Sequence, residues 1–236
     1  MPYRIPVGPF HPALEEPYKL SVSCQGETIQ GVTIEVGFSF RAIELLAQQR
    51  NYIQDVTLVE RVCGICSGVH TLTFCMAAET LAGLVVPDRA RFIRVIVGEL
   101  ERLHSHLLWT GIAAEDIGFQ TMFMESFALR ERVMDVLESV RLIEAALRKL
   151  PEGPTRAGAV FPIIPTGEAT ARSEAPRGEL FYYLASDGSD TPTRVKVRTP
   201  SFVNIPSIEA MCGRQNLAVL PLIQASVDTC CSCTDR

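Results

Sequence analysis

No stretch of this sequence approaches the roughly 18 uninterrupted apolar residues that a membrane-spanning helix needs. The most apolar segment, Leu217 to Ile223, is short and broken by Pro221, so any membrane attachment is expected to come through partner subunits. Lys and Arg form no runs, and 22 of them against 27 Asp and Glu leave a net charge of −5. That balance gives nucleic acid no electrostatic footprint. Met1-Pro2-Tyr3-Arg4 lacks the basic-then-apolar layout of a secretory leader. No internal repeat and no low-complexity segment is visible.

What is there is a chain of 236 residues, 47% hydrophobic, enough for one large domain or two small ones with a real core. Five prolines among the first 17 residues exclude a helix there. Stretches 18–24 and 32–38 alternate like strands around Gln25-Gly26-Glu27. From about Phe40 the character changes. Residues 41–50 and 67–83 suit helices, and 90–110 carries Phe92, Ile96, Leu100, Leu103 and Leu107 down one helical face. A further helical pattern covers 120–150, closed by Pro151, Gly153 and Pro154. After a Pro- and Gly-rich loop, 180–186 and 193–199 form a hairpin around Asp187-Gly188-Ser189-Asp190. Short helix, an apolar strand or loop, and a cysteine cluster finish the chain. The expected class is α+β in a single domain: 1–40 antiparallel strands, 41–150 a long-helix bundle, 151–236 the hairpin and a metal-binding tail.

Eight cysteines are many for a chain with no leader. Two pairs stand at CxxC spacing, Cys63/Cys66 and Cys230/Cys233, and in a reducing compartment such pairs suggest metal or redox sites before disulfides. Gly64 permits a tight turn between the first two thiols. His70, four residues after Cys66, shares its helical face and can donate to a coordinated sulfur. A structural zinc site is the plain alternative. Against it, 163 residues lie between Cys66 and Cys230, far more than in zinc ribbons, and a zinc knuckle does not need the flanking acids, arginines and histidine. No βαβ pattern supports a thioredoxin-like site. Cys24, Cys75 and Cys212 read as small buried apolar residues and Cys231 as pointing away. His104 and His106, two apart on one helix, cannot form an i, i+4 metal pair and read as structural.

RVCGICSGVH and DTCCSCTDR resemble the two metal-binding motifs of nickel–iron hydrogenase large subunits. GPFHPALEEP, FRAIELL, HSHLLWTGIAAEDIG, EAPRGELFYYLASDG and RVKVRTPSF are similar to the energy-converting, membrane-associated branch and to the related catalytic subunit of respiratory complex I. The paired cysteines distinguish the hydrogenases from complex I. The resemblance implies that Cys63, Cys66, Cys230 and Cys233 bind nickel, with Cys66 and Cys233 bridging to an iron that carries carbon monoxide and cyanide. It implies that Glu44 exchanges protons, that Arg177 covers the open site and donates to one cyanide, and that Ser201 donates to the other. Asp116 would fix Arg177, and Arg61 would face an iron–sulfur cluster in a small partner subunit. Ala42 stands where the family has Gly, and a long helical piece is absent near Glu138 to Arg141. The C-terminus at Arg236 matches a mature chain, or a gene without a tail. Further implied partners are maturation proteins and membrane subunits, which would hold the complex on the inner, cytoplasmic face of the cell membrane. A quinone-linked relative without hydrogenase activity, or a scaffold with a structural zinc site of four cysteines, are the alternatives.

Overall fold

The computed structural model describes residues 2–12, 14–134, 153 and 164–236. Two three-stranded antiparallel sheets and a set of helices make the mixed α/β architecture. Strands β1 (Tyr3–Val7), β2 (Lys19–Gln25) and β3 (Thr28–Glu35) pair in that order. In β2 the alternate residues Leu20, Val22 and Cys24 are buried, as the period of two requires. The β2–β3 hairpin turns where expected, but β3 begins at Thr28, directly after the turn and opposite Gln25, with a register shift at Ser23/Cys24. That irregularity blurs the pattern after the turn.

The helices that follow are α1 (Ile43–Ala47), α2 (Tyr52–Glu60), α3 (Ser67–Leu81), α4 (Asp88–Asp116) and α5 (Gln120–Met134). The expected 41–50 helix is shorter, and 90–110 extends at both ends. The short α2 escaped the periodicity reading, yet Asn51 and Gln54 close a reciprocal capping box at its start. The part of the 120–150 pattern beyond α5, with the junction near Glu138 to Arg141, lies outside the described residues.

The second sheet consists of β4 (Gly167–Ala175), β5 (Gly178–Ser186) and β6 (Arg194–Arg198). The expected hairpin is β5–β6, but β4 occupies what the sequence suggested was loop. Its buried positions are the small Ala169, Ala171 and Ala175, which carry too little hydrophobic signal to mark a strand. The C-terminal part forms α6 (Pro200–Asn204), α7 (Pro206–Cys212), a 3-10 turn at Leu217–Val219, α8 (Leu220–Val227) and α9 (Cys231–Asp235). The apolar stretch read as strand or loop is therefore helical. Pro221 sits in the first turn of α8, where no backbone donor is needed.

Two apolar cores result. One packs Tyr52, Val59, Val69 and Phe74 of α2 and α3 against Leu180, Tyr182, Leu184, Val195 and Val197 of the second sheet. The other packs the first sheet through Leu20, Val22 and Ile29 against Ile208, Cys212, Leu220 and Ile223 near the opposite end of the chain. Cys63 and Cys66 in the α2–α3 turn, with Cys230 and Cys233 at the start of α9, form a separate cluster. Among the described residues no helix is long and apolar enough to cross a membrane.

Candidate metal centre

Each cysteine pair is shaped by its own turn. The Cys63 sulfur accepts from the Ile65 and Cys66 amides, both at 3.3 Å. The Cys230 sulfur accepts from the Cys233 amide at 3.4 Å. The turns face each other, so the first cysteines meet, Sγ to Sγ at 3.6 Å between Cys63 and Cys230, and so do the second, at 3.7 Å between Cys66 and Cys233. All four are at most 3% exposed. Bonds of about 2.3 Å to one tetrahedral metal separate thiolates by about 3.8 Å; the sulfurs of Cys63, Cys66 and Cys233 all lie within 4.8 Å of one another, with Cys230 beside Cys63, so a soft metal ion suits these donors. Without a cation the four sulfurs cannot share the ionised state. Hydrogen bonds from Cys230, Cys233 and Cys66 pull the Cys63 thiol far down. Its bonds with Cys230, Cys63 and Cys66, together with burial, push Cys233 far up.

His70 is buried on α3, with Nε2 at 3.6 Å from the Cys233 sulfur and Nδ1 at 2.8 Å from the Tyr182 hydroxyl. Burial pushes its pKa down to about 4, so the ring is neutral near pH 7. With the Tyr182 hydroxyl donating to Nδ1, the Nε2 proton points at the sulfur. Tyr182 had no signal in the sequence beyond an aromatic at an inward strand position.

Arg177 lies in the two-residue turn Pro176-Arg177 joining β4 to β5. Its side chain is only 5% exposed and pairs with Asp228 Oδ1 at 2.8 Å. Its Nε donates to the Asp228 carbonyl at 2.8 Å, and Nη1 to Ser105 Oγ at 3.3 Å. The acid that fixes Arg177 is thus Asp228, and the role expected of Asp116 is corrected. Asp228, left-handed after α8 (φ 50°), turns both its carboxylate and its carbonyl toward the guanidinium. Asp116 is exposed at the end of α4, where its charge acts on Glu15. His106 holds the same turn through Nε2 to the Pro176 carbonyl, 2.9 Å.

Ser201 is buried, and its oxygen accepts from the Cys230 amide at 3.1 Å, leaving its own proton free to donate. Glu44 Oε1 accepts from the Val197 amide at 2.9 Å and from Arg236 Nε at 3.0 Å, and Oε2 from Lys196 Nζ at 2.5 Å. Burial pushes its carboxyl up, but the bonds from Lys196, Val197 and Arg236 outweigh that and hold it below the usual range. None of its hydrogen bonds among the described residues reaches a cysteine. Ala42 adopts the left-handed conformation before α1 (φ 55°), a conformation that favours Gly. Arg61 has a side chain 64% exposed, paired with Glu60.

Several contributors lie in the quoted segments but had no role assigned to them. Arg41 donates to the carbonyls of Arg61, Val62 and Ser232, tying both cysteine turns together. Asp235 accepts from the Gly37 and Ser39 amides, each at 2.8 Å. Glu16 accepts from the Cys231 and Ser232 amides. Cys24, Cys212 and Cys231 belong to the apolar core beneath the first sheet.

Fold and site together bring four buried cysteine sulfurs, a donor set suited to a soft metal, to the meeting of two cores. The model of the nickel-dependent hydrogenases matches residues 41–110, and that of the respiratory-chain NADH dehydrogenase 49 Kd subunit matches 158–236. The chain is 30% identical to the carbon monoxide-induced hydrogenase of Rhodospirillum rubrum, with 99% of each chain covered. It is also 30% identical to the membrane-bound hydrogenase subunit alpha of Pyrococcus furiosus, covering 99% of this chain and 87% of that one. The first comparison spans 359 positions, more than a hundred beyond the 236 residues here. A chain in the structure of the membrane-bound sulfane sulfur reductase, an archaeal respiratory membrane complex, shares the fold. Its TM-score is 0.89 at 20% identity, over 99% of this chain and 98% of that one. The chain belongs to the nickel-dependent hydrogenase family, in the branch related to complex I.

Proposed function

We propose that this chain is the catalytic subunit of a nickel–iron hydrogenase that interconverts protons and hydrogen, passing electrons to an iron–sulfur small subunit. The observation that carries this reading is the meeting of four buried thiolates, first with first and second with second, under Arg177 and His70. A nickel–iron centre with carbon monoxide and cyanide on iron would supply the two-electron chemistry of hydrogen cleavage there. The protein holds the four sulfurs, excludes water from them, and offers hydrogen bonds. His70 Nε2 donates to the Cys233 sulfur, one of the four that would hold the centre. Arg177 and Ser201 provide donors for the anionic iron ligands. Glu44 takes up and releases the proton at its carboxylate, and the adjacent Lys196, with a side chain 48% exposed, connects it to solvent.

Arg61 marks the face for the small subunit. Maturation proteins load the metals, and membrane subunits attach the complex to the inner face of the cell membrane. The match of residues 158–236 to the 49 Kd subunit favours one second reading, a quinone-linked subunit without hydrogenase activity; the donor set alone also suits zinc. Metal analysis of the purified complex separates the three. Nickel with iron, and infrared bands of cyanide and carbon monoxide, are expected. Zinc alone, or no metal, would refute the hydrogenase reading.

A further inference from the structure

Glu101, in the middle of α4, belongs to no recognised motif, yet its carboxylate holds the helix turn that follows the first cysteine pair. Oε1 accepts from the Gly68 amide at 2.7 Å, and Oε2 from the Val69 amide at 2.8 Å. The Ser67 hydroxyl lies 3.5 Å from Oε1. These groups form the first turn of α3, where backbone amides have no partner within the helix. The residue at the cap is Cys66 itself, whose side chain caps nothing and whose backbone (φ −117°, ψ 40°) is not helical. The cap therefore comes from another helix, leaving the Cys66 sulfur free to face Cys233. A carboxylate gripping two successive amides fixes both the position and the rotation of the turn. The contact is close as well. A Cβ on Gly68 would stand 3.2 Å from Oε1 and 3.4 Å from Oε2, so a side chain there would push the carboxylate away.

A second tie joins the same two helices. Glu79 and Arg94 form a two-pronged ion pair, one bond of it 2.8 Å. Glu79 lies 13 residues past Cys66, about 20 Å along the helix axis. The two ties share the work of holding α3 to α4, but only one touches the turn that carries a cysteine.

We propose that Glu101 is a positioning residue of the metal centre. Its carboxylate sets the α3 turn so that the Cys66 sulfur stays opposite Cys233. The inference rests on reading the four cysteines as metal ligands, whichever metal they hold.

The test uses the assembled complex purified from its own host, with four variants: Glu101→Ala, Glu101→Gln, Gly68→Ala and Glu79→Gln. Metal per chain is measured for every metal present, together with the rate at which iodoacetamide modifies Cys66. Glu101→Ala is expected to lose metal severalfold and to expose Cys66 at least tenfold faster, because two amides lose their acceptor. Glu101→Gln, which keeps one acceptor and turns an NH2 toward the other amide, should lose less metal than Glu101→Ala and shift the metal–thiolate absorption bands. Gly68→Ala, with Glu101 intact, should change Cys66 reactivity in the same direction and by less. Glu79→Gln should lower the unfolding temperature and leave metal content at the wild-type level. Wild-type metal and reactivity in Glu101→Ala would overturn the proposal, as would equal metal loss in Glu79→Gln, which would make both ties general packing. Zinc in place of nickel in the wild-type complex would defeat the hydrogenase reading alone, since the comparison among variants stands for either metal.

Discussion

Asp55 provides a test of the core that is independent of any metal. It lies on the inward stripe of α2 between Tyr52 and Val59, 0% exposed, with neither carboxylate oxygen hydrogen-bonded among the described residues. Burial pushes its pKa up to about 8, against a small opposing pull from Arg50. For an acid with a raised folded pKa the sign is fixed. The folded state keeps the proton that the unfolded state releases near pH 4, so stability is greatest below that pH. It falls through the interval up to about pH 8 and then levels off. The slope is about 1.4 kcal/mol per pH unit, so raising the pH from 6 to 8 should cost roughly 2.5 kcal/mol. Asp55→Asn keeps the size and cannot ionise. Its stability relative to wild type should therefore grow by that amount over the same interval, about 5 to 10 °C in unfolding midpoint for a chain of this length. The assay is thermal unfolding of both proteins at pH 6, 7 and 8, and the difference between them cancels every other titrating group. A difference that stays constant with pH would show that Asp55 has a partner or water in solution, and would refute burial as the cause of its raised pKa.

Replacing Cys63, Cys66, Cys230 or Cys233 by Ser should abolish metal retention and activity, because a hard hydroxyl replaces a soft thiolate, whereas Cys231→Ser should leave both largely intact; metal analysis decides. Glu44→Gln should retain the metals yet lose most hydrogen–deuterium exchange, since an amide takes up no proton near neutral pH; full exchange would remove Glu44 from the mechanism. Lys196→Met removes one of the bonds that hold the Glu44 carboxyl low, so the acid limb of the activity–pH profile should move to higher pH, and an unmoved limb would assign it to another group. Ala42→Gly relieves a left-handed Ala (φ 55°), which should raise stability by about 1 kcal/mol in denaturant unfolding.

Much of the site could be read from the sequence because its chemistry is local. Two thiols three residues apart, a turn-permitting Gly64, and His70 one helical turn after Cys66 need only short-range geometry. The β5–β6 hairpin and α4 were legible for the same reason, through alternation and period. Strand β4 was not, because its buried face is alanine, and α2 was not, because its buried stripe includes an aspartate. The partner of Arg177 shows what spacing cannot supply. Asp116 and Asp228 are both acids distant in sequence from Arg177, and only the left-handed turn after α8 brings Asp228 to the guanidinium. Tyr182 behind His70, Arg41 across both cysteine turns and Glu101 under α3 are likewise tertiary. Each is an ordinary residue in its own segment, given a role by packing. The sequence by itself determined which atoms can bind a soft metal and which histidine accompanies them. Which sulfur faces which, and what holds the turns that carry them, follow from the joining of two cores built from distant parts of the chain, a long-range event that no local pattern encodes.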